Sequence, residues 1–250
     1  MYYKYLKYVL EHKKNVFIEC MNLAKQYWNE PYWRNNNRKI ARELFIHAFT
    51  HDLSKFLSCE FIPYAKYFYG NCCYGMSCAE LEKNWDYEAL NNGKSCLSNS
   101  YLEIKRKFDK AWEHHYKNNK HHPEHWARQN MPMKYIRFMV CDLKAMSRKF
   151  GGIAQEYYLQ NYYKWDITRE TRRRLEIALD LIKLYNAPIC ECNEEYWMTI
   201  DELIKSAEDF FNKNGEISKG TVKDNINDLL KPACKKYGLD IYDLVKNAKK

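Results

Sequence analysis

Apolar residues recur at three- and four-residue steps along most of this chain, and this periodicity limits its fold more than any other feature. The first such run predicts a helix over Tyr3–Trp28, and a shorter helix is expected to begin near Ser58. Further runs predict helices over residues 38–51, 100–116, 133–150, 168–185 and 199–212. Only eight glycines and six prolines are present, which argues against many short strands and tight turns. We therefore predict an all-α protein.

The domain organisation follows from where this pattern breaks. Residues 70–100 hold three of the glycines and four of the cysteines, and we expect there a long loop with one short helix near 79–83. Loops of this kind often select substrates. One or two short helices are expected over 221–250. We predict a helical domain over 1–155 that includes the loop, and a helical extension over 156–250 packed on it.

A histidine and an aspartate stand side by side at the predicted end of the second helix, as His51 and Asp52. A neutral imidazole beside a carboxylate is a ready pair of ligands for a divalent metal. Lys55 follows three residues later and is suited to hold an anion beside that metal. His47 lies four residues before His51 on the same helix face, a spacing that can bind metal by itself.

The remaining candidate ligands lie on other predicted helices or at their ends. They are His12, His115, His121, His122 and Asp142. Each of them alone has a plain structural explanation, such as a solvent-facing histidine or a polar turn. Their joint appearance on successive helices favours a metal site, because burying such groups together would be costly without an ion.

This order of residues resembles the HD-domain metal-dependent phosphohydrolases. Residues 12–16 (His-Lys-Lys-Asn-Val) are similar to the opening motif of that family, and residues 49–55 are similar to its His-Asp signature with a lysine. Cys141-Asp142 is similar to the closing aspartate. The resemblance covers about residues 5–155, and it is closer still to an uncharacterised HD-like group of phage and bacterial genomes.

Two positions depart from the usual pattern, since His47 and Phe49 stand where small residues are common. No Gly-Tyr-Pro follows the histidine pair, which counts against a standard cyclic-di-GMP phosphodiesterase.

The resemblance implies an HD-like helical bundle with additional C-terminal helices and two divalent ions, drawn from Mn, Fe, Co, Ni, Zn or Mg. The first ion would be held by His12, His51, Asp52 and Asp142. The second would be held by His115 with His121 or His122, and Asp52 would bridge the two. A metal-activated water would then attack a phosphoester of a nucleotide or of a cyclic-nucleotide-like molecule.

The same resemblance assigns residues to the substrate and to the reaction. Lys55 would neutralise phosphate charge beside Asp52, and Glu60 would be an additional ligand or a base on the water. Asn119 and Trp126 would contact the nucleobase of the substrate, or would hold the metal ligands in place through contacts outside the metal site.

Two other functions stay open. The first is an HD-like protein that binds and sequesters a nucleotide without turnover, for example a phage protein that sequesters a signalling nucleotide of host defence. The second is a basic helical protein that binds nucleic acid, since the net charge is +9. Lysine-rich solvated helix faces give the same charge, and the sequence does not fix the oligomeric state.

The sequence also indicates a compartment. No apolar run reaches 18 residues, and Lys4 and Lys7 interrupt any apolar signal sequence. The ten cysteines include no Cys-x-x-Cys pair and are expected to be reduced thiols. We therefore expect a cytoplasmic protein without membrane association, or one of the host cytoplasm if a phage encodes it.

Overall fold

The computed structural model describes residues 1–30, 34–72, 75–84, 97–182, 198–214 and 219–249. Within these ranges the chain forms helices and no β-strand, so the predicted all-α class is confirmed. No helix in the described ranges is both long and apolar enough to cross a bilayer. Whether the helices form an HD-like bundle stays a prediction.

The chain divides into two compact units, Met1–His125 and Trp126–Lys250. The first unit contains every histidine of the chain, and the second contains the last candidate ligand, Asp142. The domain boundary near residue 155 that the sequence suggested stays a prediction.

The first unit is built on helices α1 (Tyr2–Asn29), α2 (Arg34–Thr50), α3 (Ser58–Tyr69), α4 (Cys78–Asn84) and α5 (Leu97–Asn118). α1 packs along α2 and α3, and α3 packs against α5. The buried side chains between α1, α3 and α5 include Tyr5, Val9, Tyr64 and Ala65. This packing brings the ends of α2 and α5, which carry the candidate ligands, to the same part of the unit.

Much of the predicted loop over 70–100 lies outside the described residues, namely 73–74 and 85–96. The expected short helix is present as α4. Glu82 on this helix accepts hydrogen bonds from the hydroxyls of Tyr67 (2.5 Å) and Tyr101 (2.7 Å). α4 is thereby tied to α3 and α5, and the proposed role of the loop in substrate selection stays a prediction.

The second unit contains seven helices in its described ranges: α6 (Met133–Phe150), α7 (Ala154–Gln160), α8 (Arg169–Ala178), α9 (Ile200–Asn214), α10 (Lys219–Leu229), α11 (Lys231–Tyr237) and α12 (Ile241–Ala248). The helix predicted over 133–150 is confirmed, and it ends at Gly151 with φ of 82°. α9 begins with the expected capping box, since the Thr199 amide donates to Glu202 Oε2 at 2.8 Å.

Two expectations for this unit were wrong, and one helix was not expected. α8 ends at Ala178, before the predicted end at residue 185, because Asp180 takes a left-handed conformation with φ of 61°. The tail forms three helices where one or two were expected. The short helix α7 was not predicted at all.

A carboxyl group is fully buried in this unit at Glu176 on α8. Its oxygens accept hydrogen bonds from the Tyr158 hydroxyl (2.8 Å) and from the Ile200 amide (3.1 Å). Burial raises the pKa of Glu176 to about 7. This single side chain therefore connects α7, α8 and the start of α9.

Candidate metal centre

The His-Asp pair lies where the chain turns sharply after α2. Asp52 has φ of 54° and ψ of 29°, a left-handed conformation that aspartate, asparagine and glycine adopt most readily. A short 3₁₀ turn, Leu53–Phe56, follows directly. The turn brings Lys55 back onto the aspartate, with its Nζ 2.6 Å from Asp52 Oδ2. The five residues from His51 to Lys55 thus place an imidazole, a carboxylate and an ammonium group close together.

Lys13 fixes this turn to α1. Its ammonium group donates to the backbone oxygens of His51 (2.6 Å) and Phe49 (3.2 Å). The last carbonyls of a helix have no partner within the helix, and a lysine there satisfies them. Burial lowers the pKa of Lys13, and the negative charge of Asp52 acts in the opposite direction. The residue beside His12 therefore positions the end of α2.

A first group of ligands forms where α1 meets this turn. The two Nε2 atoms of His12 and His51 lie 3.1 Å apart. Asp52 Oδ2 lies 3.3 Å from His51 Nε2 and 3.8 Å from His12 Nε2. All three side chains are buried. They form one of the constellations in the described residues that could hold a metal ion.

A second group uses the other oxygen of the same aspartate. Asp52 Oδ1 lies 3.4 Å from His115 Nε2 and 3.3 Å from His121 Nε2. His122 completes the group, with its Nε2 3.0 Å from His115 Nε2. Asp52 is therefore the residue common to both groups, with Oδ2 facing one and Oδ1 facing the other.

Most separations in the two groups match those between ligands of one ion, and the 3.8 Å between His12 Nε2 and Asp52 Oδ2 is slightly longer. Bonds of about 2.0–2.2 Å to a tetrahedral or octahedral ion place neighbouring ligand atoms roughly 2.8–3.5 Å apart. Burial alone would raise the pKa of Asp52, but the nearby His51, Lys55 and His115 hold it well below its usual range. The carboxylate is therefore charged and able to serve as a ligand.

Glu60 lies behind the second group. Its Oε2 is 2.8 Å from His115 Nδ1 and accepts from Ser54 Oγ at 3.0 Å, while its Oε1 is 2.6 Å from His114 Nδ1. Burial would raise the pKa of Glu60, but the hydrogen bonds from the two histidines and the serine lower it. A carboxylate on Nδ1 fixes the tautomer of a histidine and leaves Nε2 for a metal. This arrangement indicates an orienting role for Glu60, and its roles as ligand or base stay predictions.

Asn119 also contacts the supporting groups of this site. Its Nδ2 donates to Ser54 Oγ and to the His115 backbone oxygen, both at 2.8 Å. Trp112 stacks on the His115 ring with centroids 5.7 Å apart and meets the His122 ring edge-on at 5.0 Å. Of the two roles predicted for Asn119, these contacts favour holding the ligands over binding a base.

His47 forms a third group with His51 and His121, and all three rings are buried. Its Nε2 lies 3.3 Å from His51 Nδ1. His51 therefore turns one ring nitrogen toward His47 and the other toward His12 and Asp52. A hydrogen bond from Nδ1 to His47 leaves Nε2 of His51 for the first group.

The structure thus brings together nine of the predicted site residues in the first unit: His12, His51, Asp52, Lys55, Glu60, His115, Asn119, His121 and His122. Asp142 lies on α6 and Trp126 at the start of the second unit, and their participation stays a prediction. The sequence reasoning assigned no role to Lys13 or His114. Lys13 lies within the motif over residues 12–16 and His114 beside His115, but each acts through a contact that only the helix packing supplies.

Comparison with known proteins gives one family. The family described as "Family of unknown function (DUF5662)" matches residues 1–182, a range that includes every residue of the three groups of candidate ligands. No curated protein and no solved structure matches the chain.

Proposed function

We propose that this chain, which belongs to the DUF5662 family of unknown function, is a metal-dependent phosphohydrolase that acts on a nucleotide or a cyclic-nucleotide-like phosphoester. One observation carries the proposal above the others. Asp52 directs one carboxylate oxygen into each of two histidine groups, as a residue that bridges two ions would. The resemblance of the His-Asp segment to the HD phosphohydrolases supports the same reaction.

The side chains present fit a divalent transition metal better than magnesium. The two groups offer five imidazoles and a single carboxylate. Imidazole suits Fe, Co, Ni or Zn, whereas magnesium and manganese prefer oxygen ligands. His12, His51 and Asp52 would hold one ion, and Asp52, His115, His121 and His122 the other. Bound metal would polarise a phosphoryl oxygen and lower the pKa of a bound water from about 16 toward 7.

The remaining side chains would orient these ligands and neutralise the substrate. Glu60 would accept a hydrogen bond from the Nδ1–H of His115, and His47 one from the Nδ1–H of His51, so that Nε2 of each ring stays available for metal. Lys55 is 11% exposed and pairs with Asp52 Oδ2. Once cations neutralise the aspartate, the ammonium group would be released to an anionic oxygen of the ester, as a point charge rather than a bidentate clamp.

Metal analysis of the purified protein, followed by a screen of mono-, di- and cyclic nucleotides with the best metal, tests this function. We expect at least one equivalent of metal and hydrolysis of a phosphoester. Asp52→Asn should lose both, and asparagine is chosen because it tolerates the left-handed backbone of this position. Asp109→Asn is the matched control, because Asp109 is exposed on α5 and pairs only with Lys105 in the described structure.

Other outcomes would point to the other functions. Less than about a tenth of an equivalent of metal after reconstitution would refute the metal centre. Recovery of an unchanged nucleotide from the denatured complex would favour a sequestering protein. A metal-free protein whose affinity for nucleic acid falls steeply with salt would favour the third function.

A further inference from the structure

Two tyrosine hydroxyls are buried beside the metal centre without a hydrogen-bond partner. Tyr5 on α1 is 1% exposed and Tyr64 on α3 is 5% exposed. Their rings lie 5.9 Å apart and nearly parallel. Neither hydroxyl oxygen makes a hydrogen bond to any group in the described part of the chain. A pair of such groups in one place requires an explanation, because a buried hydroxyl without a partner destabilises the fold.

Packing alone does not explain these hydroxyls. Both rings belong to an apolar cluster with Val9 and Ala65, and a phenylalanine would fill the same space without burying an oxygen. Tyr67, one turn further along α3, shows the usual arrangement. It is equally buried, and its hydroxyl donates to Glu82.

Ring contacts connect Tyr5 and Tyr64 to the candidate metal centre. Burial raises the pKa of both hydroxyls, and the positive charge of Lys55 is the first opposing effect on each. The charges of Asp52 and Glu60 act on both as well. The Tyr64 ring also lies edge-on to the ring of His115, with centroids 6.1 Å apart. His115 Nε2 lies 3.4 Å from Asp52 Oδ1, and Lys55 Nζ lies 2.6 Å from Asp52 Oδ2. Tyr64 therefore packs against a ligand that shares Asp52 with the lysine that the proposed function assigns to phosphate.

We propose that the hydroxyls of Tyr5 and Tyr64, with the ammonium group of Lys55, form a binding site for the non-bridging oxygens of a phosphoryl group. Hydroxyl and ammonium groups supply hydrogen-bond donors and positive charge, which a tetrahedral oxyanion requires. A substrate oxygen would satisfy both hydroxyls at once, which accounts for their burial without a protein partner. This inference deepens the proposed function and rests on it for the identity of the ligand.

The test uses the full chain loaded with metal and inorganic phosphate as the probe, with affinity measured by calorimetry. We expect Tyr5→Phe and Tyr64→Phe each to weaken phosphate binding, and the double variant to weaken it by about tenfold or more. Metal content should stay that of the wild type. The melting temperature should be unchanged or higher, because each variant removes a buried hydroxyl without a partner.

Tyr67→Phe is the matched control, since it deletes the same atom from an equally buried ring of the same helix. It should lower the melting temperature, because Glu82 loses a donor, and it should leave phosphate affinity unchanged. The expected pattern is thus opposite for Tyr64 and Tyr67.

Three results would overturn the inference. The first is wild-type phosphate affinity in the double variant. The second is a double variant that melts earlier and loses metal, which would assign the hydroxyls to a buried water. The third is a metal-loaded wild type that binds no phosphate. A wild type that binds phosphate through the tyrosines but hydrolyses no ester would refute the proposed function and leave this binding site standing.

Discussion

Replacing Glu60 by glutamine separates two roles that a carboxylate can have beside a metal centre. In the structure Glu60 is fully buried and contacts His115 through Nδ1, on the side of the ring opposite the candidate metal ligand Nε2. Glutamine has the same shape and keeps one oxygen to accept that hydrogen bond. The substitution therefore removes the charge, and it replaces the acceptor that faces His114 by a donor.

The expected size of the effect follows from that one hydrogen bond. A hydrogen bond to a charged group contributes about 1.5–3 kcal/mol, and one between neutral groups about 0.5–1.5 kcal/mol. The loss of about 1–1.5 kcal/mol in orienting His115 corresponds to roughly tenfold weaker metal binding. Because no solvent reaches Glu60, this figure needs no reduction for screening. If Glu60 were instead the base that activates the attacking water, its loss would lower kcat by about 10²–10⁴-fold and leave metal affinity unchanged.

Competitive metal titration with a chromophoric chelator measures the affinity, and turnover of a phosphoester by the metal-saturated protein measures kcat of the proposed reaction. We expect Glu60→Gln to shift the titration about tenfold and to keep most of its activity at saturating metal. Glu82→Gln is the control, since Glu82 accepts from two tyrosine hydroxyls and contacts no candidate ligand. An unchanged titration with a collapse of kcat would refute the orienting role.

Three further predictions test other parts of the structure. The pKa of Glu176 is raised to about 7 from an ordinary 4.5, so the free energy of unfolding should fall by about 3 kcal/mol as the pH rises from below 4.5 to above 7. Glu176→Gln should flatten this pH dependence in denaturant titrations at pH 5 and 8. His47→Gln should weaken metal binding by about 10–100-fold without changing the number of bound ions, and the loss of a whole equivalent in metal analysis would instead indicate an ion on the third group. Lys13→Met should cost about 1 kcal/mol in urea unfolding, because two carbonyls at the end of α2 lose their donor, and an unchanged midpoint would contradict this.

The sequence predicted the long helices well and the short ones unevenly, since α4 was expected and α7 was not. α1 and α6 have many turns of apolar periodicity, so their limits were found within a residue. α7 has only seven residues, too few for a period to be recognised. The end of α8 depends on the left-handed conformation of Asp180, which no glycine or proline marks in the sequence.

In the candidate site, the sequence revealed residues that are close together in the chain and did not reveal those that only helix packing brings together. His51 and Asp52 could be recognised because two ligands and a lysine lie within five residues of chain. The proposed contribution of Tyr5 depends on α3 packing beside α1, and that of Lys13 on α2 ending beside it. Their residue types carry no such signal, since tyrosine and lysine are abundant throughout this sequence.

The left-handed backbone of Asp52 has a consequence for how the family could diverge. Few residues tolerate that conformation without strain, and among them only aspartate offers a carboxylate to both histidine groups. A relative that had lost the proposed metal centre would therefore keep its fold most readily with asparagine or glycine at this position. Either residue, found there in a relative, would indicate that the helices were retained after the proposed metal site was lost.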